Sequence, residues 1–391
     1  MSFRKNKKSA TRIAMIGQKH VPSREGGVEI VVWELARRLR DRGYSVECYN
    51  RSGYHLHAKD YEKINGLPGH YYSGIRILTI PTFRSSKLNA IVYSTLATIR
   101  ALFGRYDVIH YHAEGPCLML WLPKLFGIPV VATIHGLDWQ RAKWGKFASR
   151  MLKAGERTAA KHADALIVLS KNMQDYFLSE YGRKTLFIPN GIDKGYHLEP
   201  EIITKQYGLK GDDYILSLSR IVPEKGIHYL IEAFRQIPTD KKLVIAGMSG
   251  NAQEYMDEIT RMAAEDPRII LTGFVHDELL EELQSNPYLF VLPSDVEGMS
   301  IGLLEAMSYG TCCLVSDIKE NIEVVEDKAV SFRQGSVEDL KQKLQYLLEH
   351  PEVTHAYRDA STAFILNKYS WEKMTDETEK IYASVCGEEN R

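Results

Sequence analysis

The chain has 391 residues, 44% hydrophobic and 26% charged, with a formal net charge of zero, which is more than one ordinary core holds and points to two domains. Five scattered cysteines (Cys48, Cys117, Cys312, Cys313 and Cys386) lack metal-ligand spacing, argue against a disulfide framework and fit a reducing, cytoplasmic location. No run reaches the roughly 18 apolar residues of a membrane span, and the start, basic at Arg4, Lys5, Lys7 and Lys8, has no secretory core.

Short apolar runs alternate with amphipathic segments. In the first half they cover 12–17, 45–50, 75–80, 107–112, 129–135, 165–170 and 186–189. Most are near-continuous in Val, Ile and Leu, as in parallel strands covered on both faces. After the first run, Val28, Val31, Leu35 and Leu39 share one helical face. The turn between them holds Gly26 and Gly27; glycines there let a backbone approach a ligand, and a helix start favours anions. An ordinary tight turn explains them equally well. The dinucleotide fingerprint GxGxxG is absent.

His110, His112 and Glu114 close the fourth run. The alternating histidines face one side through strand pleating alone, so a metal site is not inferred. His135-Gly136-Leu137-Asp138-Trp139 closes the fifth, at a strand's carboxyl end, where open α/β sheets bind ligands. His135 could donate to a substrate oxygen there, or be a satisfied structural histidine. Asp138, Trp139 and His112 are acceptor-side candidates.

Pro189-Asn190-Gly191 is a turn signal, and the charge changes sign near it. Residues 1–193 hold 30 Lys and Arg against 15 Asp and Glu, a net +15; residues 194–391 hold the balance, a net −15. Such asymmetry suggests that the first half meets an anionic membrane surface or phospho-lipid acceptor; charges spread over a solvated surface are the alternative. No nucleic-acid motif accompanies the charge.

The second half repeats the rhythm at 214–219, 242–247, 269–273, 289–294 and 312–317, with a helical stripe at Leu340, Leu344, Leu347 and Leu348. This calls for doubly wound sheets. After its first run, Arg220 and Lys225 could clamp a diphosphate, the fork of Arg and the point charge of Lys acting together, or belong to a solvated loop. After the fourth run a helix is expected from near Met299, aiming backbone N–H groups of Met299, Ser300 and Ile301 at an anion. Glu297 and Gly298 precede it. Glu305 lies further along and leans back toward the same ligand. The final segment, 370–386, reads as a helix with no strand after it.

At these residues the chain resembles the retaining glycosyltransferases of family 4, whose fold is called GT-B. The Glu-x7-Glu signature matches Glu297 and Glu305; Arg-x4-Lys-Gly matches Arg220, Lys225 and Gly226; the glycine pair matches Gly26 and Gly27; and the strand-end histidine matches His135. The resemblance spans nearly the whole chain. It implies two Rossmann-like, doubly wound parallel-sheet domains facing a central cleft. The acceptor domain is 1–193, completed by a returning helix at 370–391, and the donor domain is 194–369. It further implies that Arg220 and Lys225 hold donor phosphates, Glu305 the ribose and Glu297 the sugar, with His135 beside the transferred unit and Gly273-Phe274-Val275 reading the base.

The stretches 16–29 and 135–144 (His135 to Trp144) resemble a subgroup with bacterial rhamnosyltransferases of surface-polysaccharide assembly, although Gln18-Lys19-His20 stands where small residues are common. The implied donor is a UDP-, dTDP- or GDP-linked sugar. No Asp-x-Asp motif occurs, so no cofactor or metal is expected. The expected location is cytoplasmic, at the inner face of the plasma membrane. A nucleotide-sugar epimerase on the same fold and a non-catalytic glycan-binding protein are the alternatives.

Overall fold

The computed structural model describes residues 10–53, 61–64, 69–82, 86–140, 145–250 and 252–387. Arg4, Lys5, Lys7, Lys8, Trp144 and residues 388–391 lie outside them. The first half carries β1 (Arg12–Ile16), β2 (Ser45–Arg51), β3 (His70–Tyr72), β4 (Ile75–Ile80), β5 (Val108–His112), β6 (Val130–Ile134), β7 (Ala165–Val168) and β8 (Leu186–Phe187). Their order in the sheet is β3-β4-β2-β1-β5-β6-β7-β8. The second carries β9 (Tyr214–Leu218), β10 (Lys242–Ala246), β11 (Ile269–Gly273), β12 (Leu289–Leu292), β13 (Cys313–Ser316) and β14 (Val330–Phe332), ordered β11-β10-β9-β12-β13-β14.

Among the described residues both sheets are parallel except where β3 runs antiparallel to β4. Burial on both faces explains the near-continuous apolar runs. Along β1, Ile13 and Met15 join the core that receives Val31, Leu35 and Leu39, while Ala14 and Ile16 join the opposite core with Tyr93 and Ala97. Along β12, Leu289 and Val291 face one core, Phe290 and Leu292 the other. The edge strands β3 and β14 lie outside the runs expected from sequence.

The strand orders set the sites. Each sheet winds outward in both directions from a pair of neighbours, β1 with β5 and β9 with β12. Ligands of open α/β sheets bind beyond the carboxyl ends at such switch points. The glycine turn follows β1, His112 ends β5, Arg220 follows β9, and residues 294–300 follow β12.

The last helix, Trp371–Val385, packs on the helix Gly27–Asp41, far from it in sequence. Trp371, Met374, Ile381 and Tyr382 enter the first sheet's core, each worth roughly 1.5–3 kcal/mol of burial. Arg42 pairs with Glu372, Asp376 and Glu379. Arg38 reaches Glu34, Asp193 and Glu372, tying the first helix, the crossover between the sheets and the last helix together.

Candidate functional site

In the second half, Pro223–Lys225 forms a single 3-10 turn ended by Gly226. Gly226 has φ +64°, and a Cβ there would lie 2.1 Å from the Pro293 carbonyl oxygen. Glycine therefore lets this turn lie against the exit of β12, and that close approach brings Lys225 to Glu297. Their side chains pair, 12% and 7% exposed, and Ser294 Oγ donates to the same Glu297 oxygen at 2.7 Å. Arg220, half-buried, stands just beyond β9.

The helix after β12 runs Ile301–Ser308, beginning two residues later than expected from sequence. Ser300 is its cap, its Oγ accepting from Leu303 N at 3.3 Å. The cap satisfies the Leu303 N–H and leaves the backbone of Ser300 itself uninvolved. The N–H groups of Ile301 and Gly302 are the first-turn donors. The side chains of Met299 and Ile301 turn to the first half: Met299 Sδ accepts from Asn190 N at 3.2 Å, and Ile301 joins the first sheet's core.

The two halves meet closely at Gly298, where a Cβ would lie 1.7 Å from the His135 carbonyl oxygen and 3.0 Å from Gly136 Cα. Gly26 caps the helix Gly27–Asp41 in an extended conformation, and Gly27 faces Ile301 across the junction. From the same loop Arg24 pairs with Glu305, whose second oxygen accepts from Gln284 Nε2 at 2.9 Å. Glu297 and Glu305 thus have separate partners, one within its half and one across the junction. Gly273, with φ +72°, ends the outer strand β11, followed by partly exposed Phe274 and buried Val275. Two strand spacings, roughly 10 Å, separate β11 from β9.

The first half's contribution is mostly neutral. His110 and His112 do share a face, their ring centroids 4.2 Å apart. His110 bonds Tyr382 OH at 2.7 Å and Thr133 Oγ1 at 2.8 Å. His112 Nδ1 lies 3.1 Å from His135 Nε2. Burial, and then the neighbouring rings, hold both far below the usual imidazole range, His110 at about 3. His112, an acceptor-side candidate, is fully buried next to His135.

Asp138 and Trp139 lie on the 3-10 turn Asp138–Gln140, both half-buried. Trp139 Nε1 donates to Glu156 at 2.9 Å, and the Tyr176 hydroxyl donates to Glu156 at 2.7 Å. Lys153 pairs with Glu156 at 3.0 Å and sits 4.7 Å from the Trp139 ring centre. Beside them Glu114 is fully buried. Burial, then Asp138 and Glu156, push its carboxyl up to about 10.

Sequence reasoning missed Arg24, Glu114 in this neutral role, Glu156, Asn190 and Gln284. Arg24, Glu114 and Asn190 lay in segments that the sequence singled out, the glycine turn, the fourth run's end and the Asn-Gly turn; Glu156 and Gln284 carried no signal. Among the described residues no group of three or more His, Cys, Asp or Glu could hold a metal ion, and no helix is long and apolar enough to cross a membrane.

Two family models match in tandem: Glycosyltransferase Family 4 over residues 25–195 and Glycosyl transferases group 1 over residues 200–364. The chain is 26% identical to the alpha-maltose-1-phosphate synthase of Mycolicibacterium smegmatis, over 96% of this chain and 99% of that one. It is 29% identical to the Escherichia coli UDP-Gal:alpha-D-GlcNAc-diphosphoundecaprenol alpha-1,3-galactosyltransferase, over 58% and 62%. Among solved structures, Anabaena HepE in complex with UDP-glucose superposes with a TM-score of 0.78 at 18% identity, covering 96% of this chain and 99% of that one.

Proposed function

Because the chain is a GT-B glycosyltransferase, Family 4-like in its first half and group 1 in its second, we propose that it moves a hexosyl or deoxyhexosyl unit from a nucleoside-diphosphate sugar to a saccharide or lipid-linked acceptor, with retention at the anomeric carbon. Residues 194–369 take the donor; residues 1–193 with the last helix take the acceptor. Arg220, Lys225 and the N–H groups of Ile301 and Gly302 meet the diphosphate, Glu305 the ribose, and Glu297 and His135 the sugar. Gly273-Phe274-Val275 reads the base, and Asp138 and Trp139 line the acceptor side. Rhamnosyl is the first unit to test, from the local resemblance.

The observation that carries this reading is the meeting of Gly298 with His135 and Gly136. It sets the strand-end histidine against the segment between the two glutamates. A diphosphate arriving there takes Lys225 from Glu297 and frees that carboxylate for the sugar hydroxyls. The acceptor oxygen bonds to the anomeric carbon on the face that the leaving oxygen quits, and the hydroxyl proton passes to the departing phosphate oxygen. Preorganised cations and N–H groups stabilise the charge on that phosphate.

The same reading places the enzyme at the inner face of the plasma membrane. The adjoining helices Ser86–Leu102 and Trp121–Leu125 end in exposed Phe103 (75%), Leu125 (72%) and Phe126 (66%), with Arg100 and Arg105 exposed beside them. Apolar tips among basic groups suit an anionic lipid surface. Binding to phosphatidylglycerol vesicles should fall steeply with salt; equal binding to neutral phosphatidylcholine vesicles would refute the membrane reading.

Transfer is tested by incubating the protein with UDP-, dTDP- and GDP-sugars and a lipid-diphosphate saccharide, with and without chelator, and reading the product's anomeric configuration by NMR. Retained configuration, insensitive to chelator, is expected. Inverted product would refute the stereochemical assignment, and a free donor that changes form without acceptor would favour an epimerase.

A further inference from the structure

His112 Nε2 and Asn190 Oδ1 are buried side-chain atoms with no hydrogen-bond partner. Their residues are 0% and 3% exposed, and both line one small cavity of about 10 Å3, room for one water. The other polar side chains lining it have partners: His110 bonds Thr133 and Tyr382, and Thr378 Oγ1 donates to Met374 O at 2.8 Å. The remaining lining includes Val31, Leu35, Ile167 and Leu169.

A water here must donate to Asn190 Oδ1, which can only accept. Its second O–H has His112 Nε2 to meet. Were His112 instead to donate from Nε2, that O–H would be left with apolar wall and with the hydroxyls of Thr133 and Thr378, already engaged by His110 and the Met374 carbonyl, and buried orphan donors are rarer than under-used acceptors. A neutral His112 carries one ring proton. With Nε2 accepting, the proton sits on Nδ1, which faces His135 Nε2 at 3.1 Å.

We propose that His112 is a positioning residue: a buried water shared with Asn190 fixes its Nδ1–H toward His135 Nε2, and this holds the proton of His135 on Nδ1. The ring that meets the transferred sugar then presents a donor of fixed identity, as an imidazole donating to a sugar or phosphate oxygen must. The catalytic consequence rests on the donor-site reading above; the tautomer does not.

The test is long-range proton–nitrogen NMR of the full 15N-labelled chain, with His135→Gln identifying the His135 signals. The expected wild-type pattern is the neutral Nδ1–H form of His135. His112→Leu should convert it to a mixture and lower kcat about tenfold, one neutral hydrogen bond's worth, with the donor KM within about threefold. His112→Asn, whose amide nitrogen stands near the Nδ1 position, should restore both. Asn190→Ala, which removes only the cavity's acceptor, should scramble the His135 tautomer as well and serves if His112→Leu does not fold. An Nε2–H form in the wild type would overturn the proposal, as would a His135 tautomer unmoved by these variants. A wild type with the expected tautomer but no transfer would count against the donor-site reading alone.

Discussion

The two strand-end sites face one junction yet are held by opposite means. Beyond β9 and β12 the groups are charged and paired: Lys225 with Glu297, and Glu305 with Arg24 and Gln284. Beyond β5 and β6 burial disfavours charge: His110 packs on His112, His112 bonds His135, and Glu114, its carboxyl pushed up, lies behind Trp139 and Glu156. The contrast separates two tasks. A charged donor can displace partners that are themselves charged and part-exposed, so the second half is arranged for exchange. The buried rings of the first half have no such competitor, so they fix direction.

The contrast is broken most severely by removing the exchangeable charge. Glu305→Ala should lower kcat/KM about 100-fold or more, the loss of two charge-assisted bonds of roughly 1.5–3 kcal/mol each, with the melting temperature little changed. Near-normal turnover would remove Glu305 from the ribose.

Gly298→Ala tests the junction itself. Its Cβ would fall 1.7 Å from the His135 oxygen, so the halves must part. Overpacking costs about 1–3 kcal/mol, or roughly tenfold in donor affinity and turnover. An unchanged variant would show that this contact is dispensable.

Arg220→Ala should weaken nucleoside-diphosphate binding about tenfold, one charge-assisted bond, while leaving unphosphorylated nucleoside binding unchanged. Equal weakening of both would place Arg220 on the base or ribose.

The neutral side is sharpened by Glu114. Its folded pKa is raised to about 10, so the folded chain holds a proton that the unfolded chain releases near the usual carboxyl range. The stabilisation is whole below that range and is lost as pH rises toward about 10, at most about 1.4 kcal/mol per pH unit. The melting temperature of the wild type should therefore drop between pH 7 and pH 9.5 by more than that of Glu114→Gln. Parallel curves would mean that Glu114 is ionised.

Much of this was legible in the sequence because parallel strands buried on both faces leave continuous apolar runs, and because motif residues sit next to them. Gly226, Lys225 and Glu297 are local to two such strand ends, so their meeting follows once β9 and β12 are neighbours. The edge strands β3 and β14 escaped because three residues, such as His70-Tyr71-Tyr72, carry too little periodicity. His110 and His112 were expected on one side of their strand, and they share it, but a sequence does not tell which side of a sheet is sealed. Here Met374 and Thr378, some 260 residues away, close that side. Arg24 on Glu305 is a side-chain contact between distant elements and Trp139 on Glu156 one between successive elements, and no spacing rule announces either.

The central claim is that a nucleoside diphosphate enters by exchanging with the charged pairs of the second half. It is tested most directly by titration calorimetry with UDP, dTDP and GDP in the presence of chelator, comparing wild type, Lys225→Ala and Glu305→Ala. The account predicts one-to-one binding of one nucleotide class to the wild type, about tenfold or more weaker in each variant. No binding of any nucleotide to the folded wild type, or binding that both substitutions leave unchanged, would contradict it.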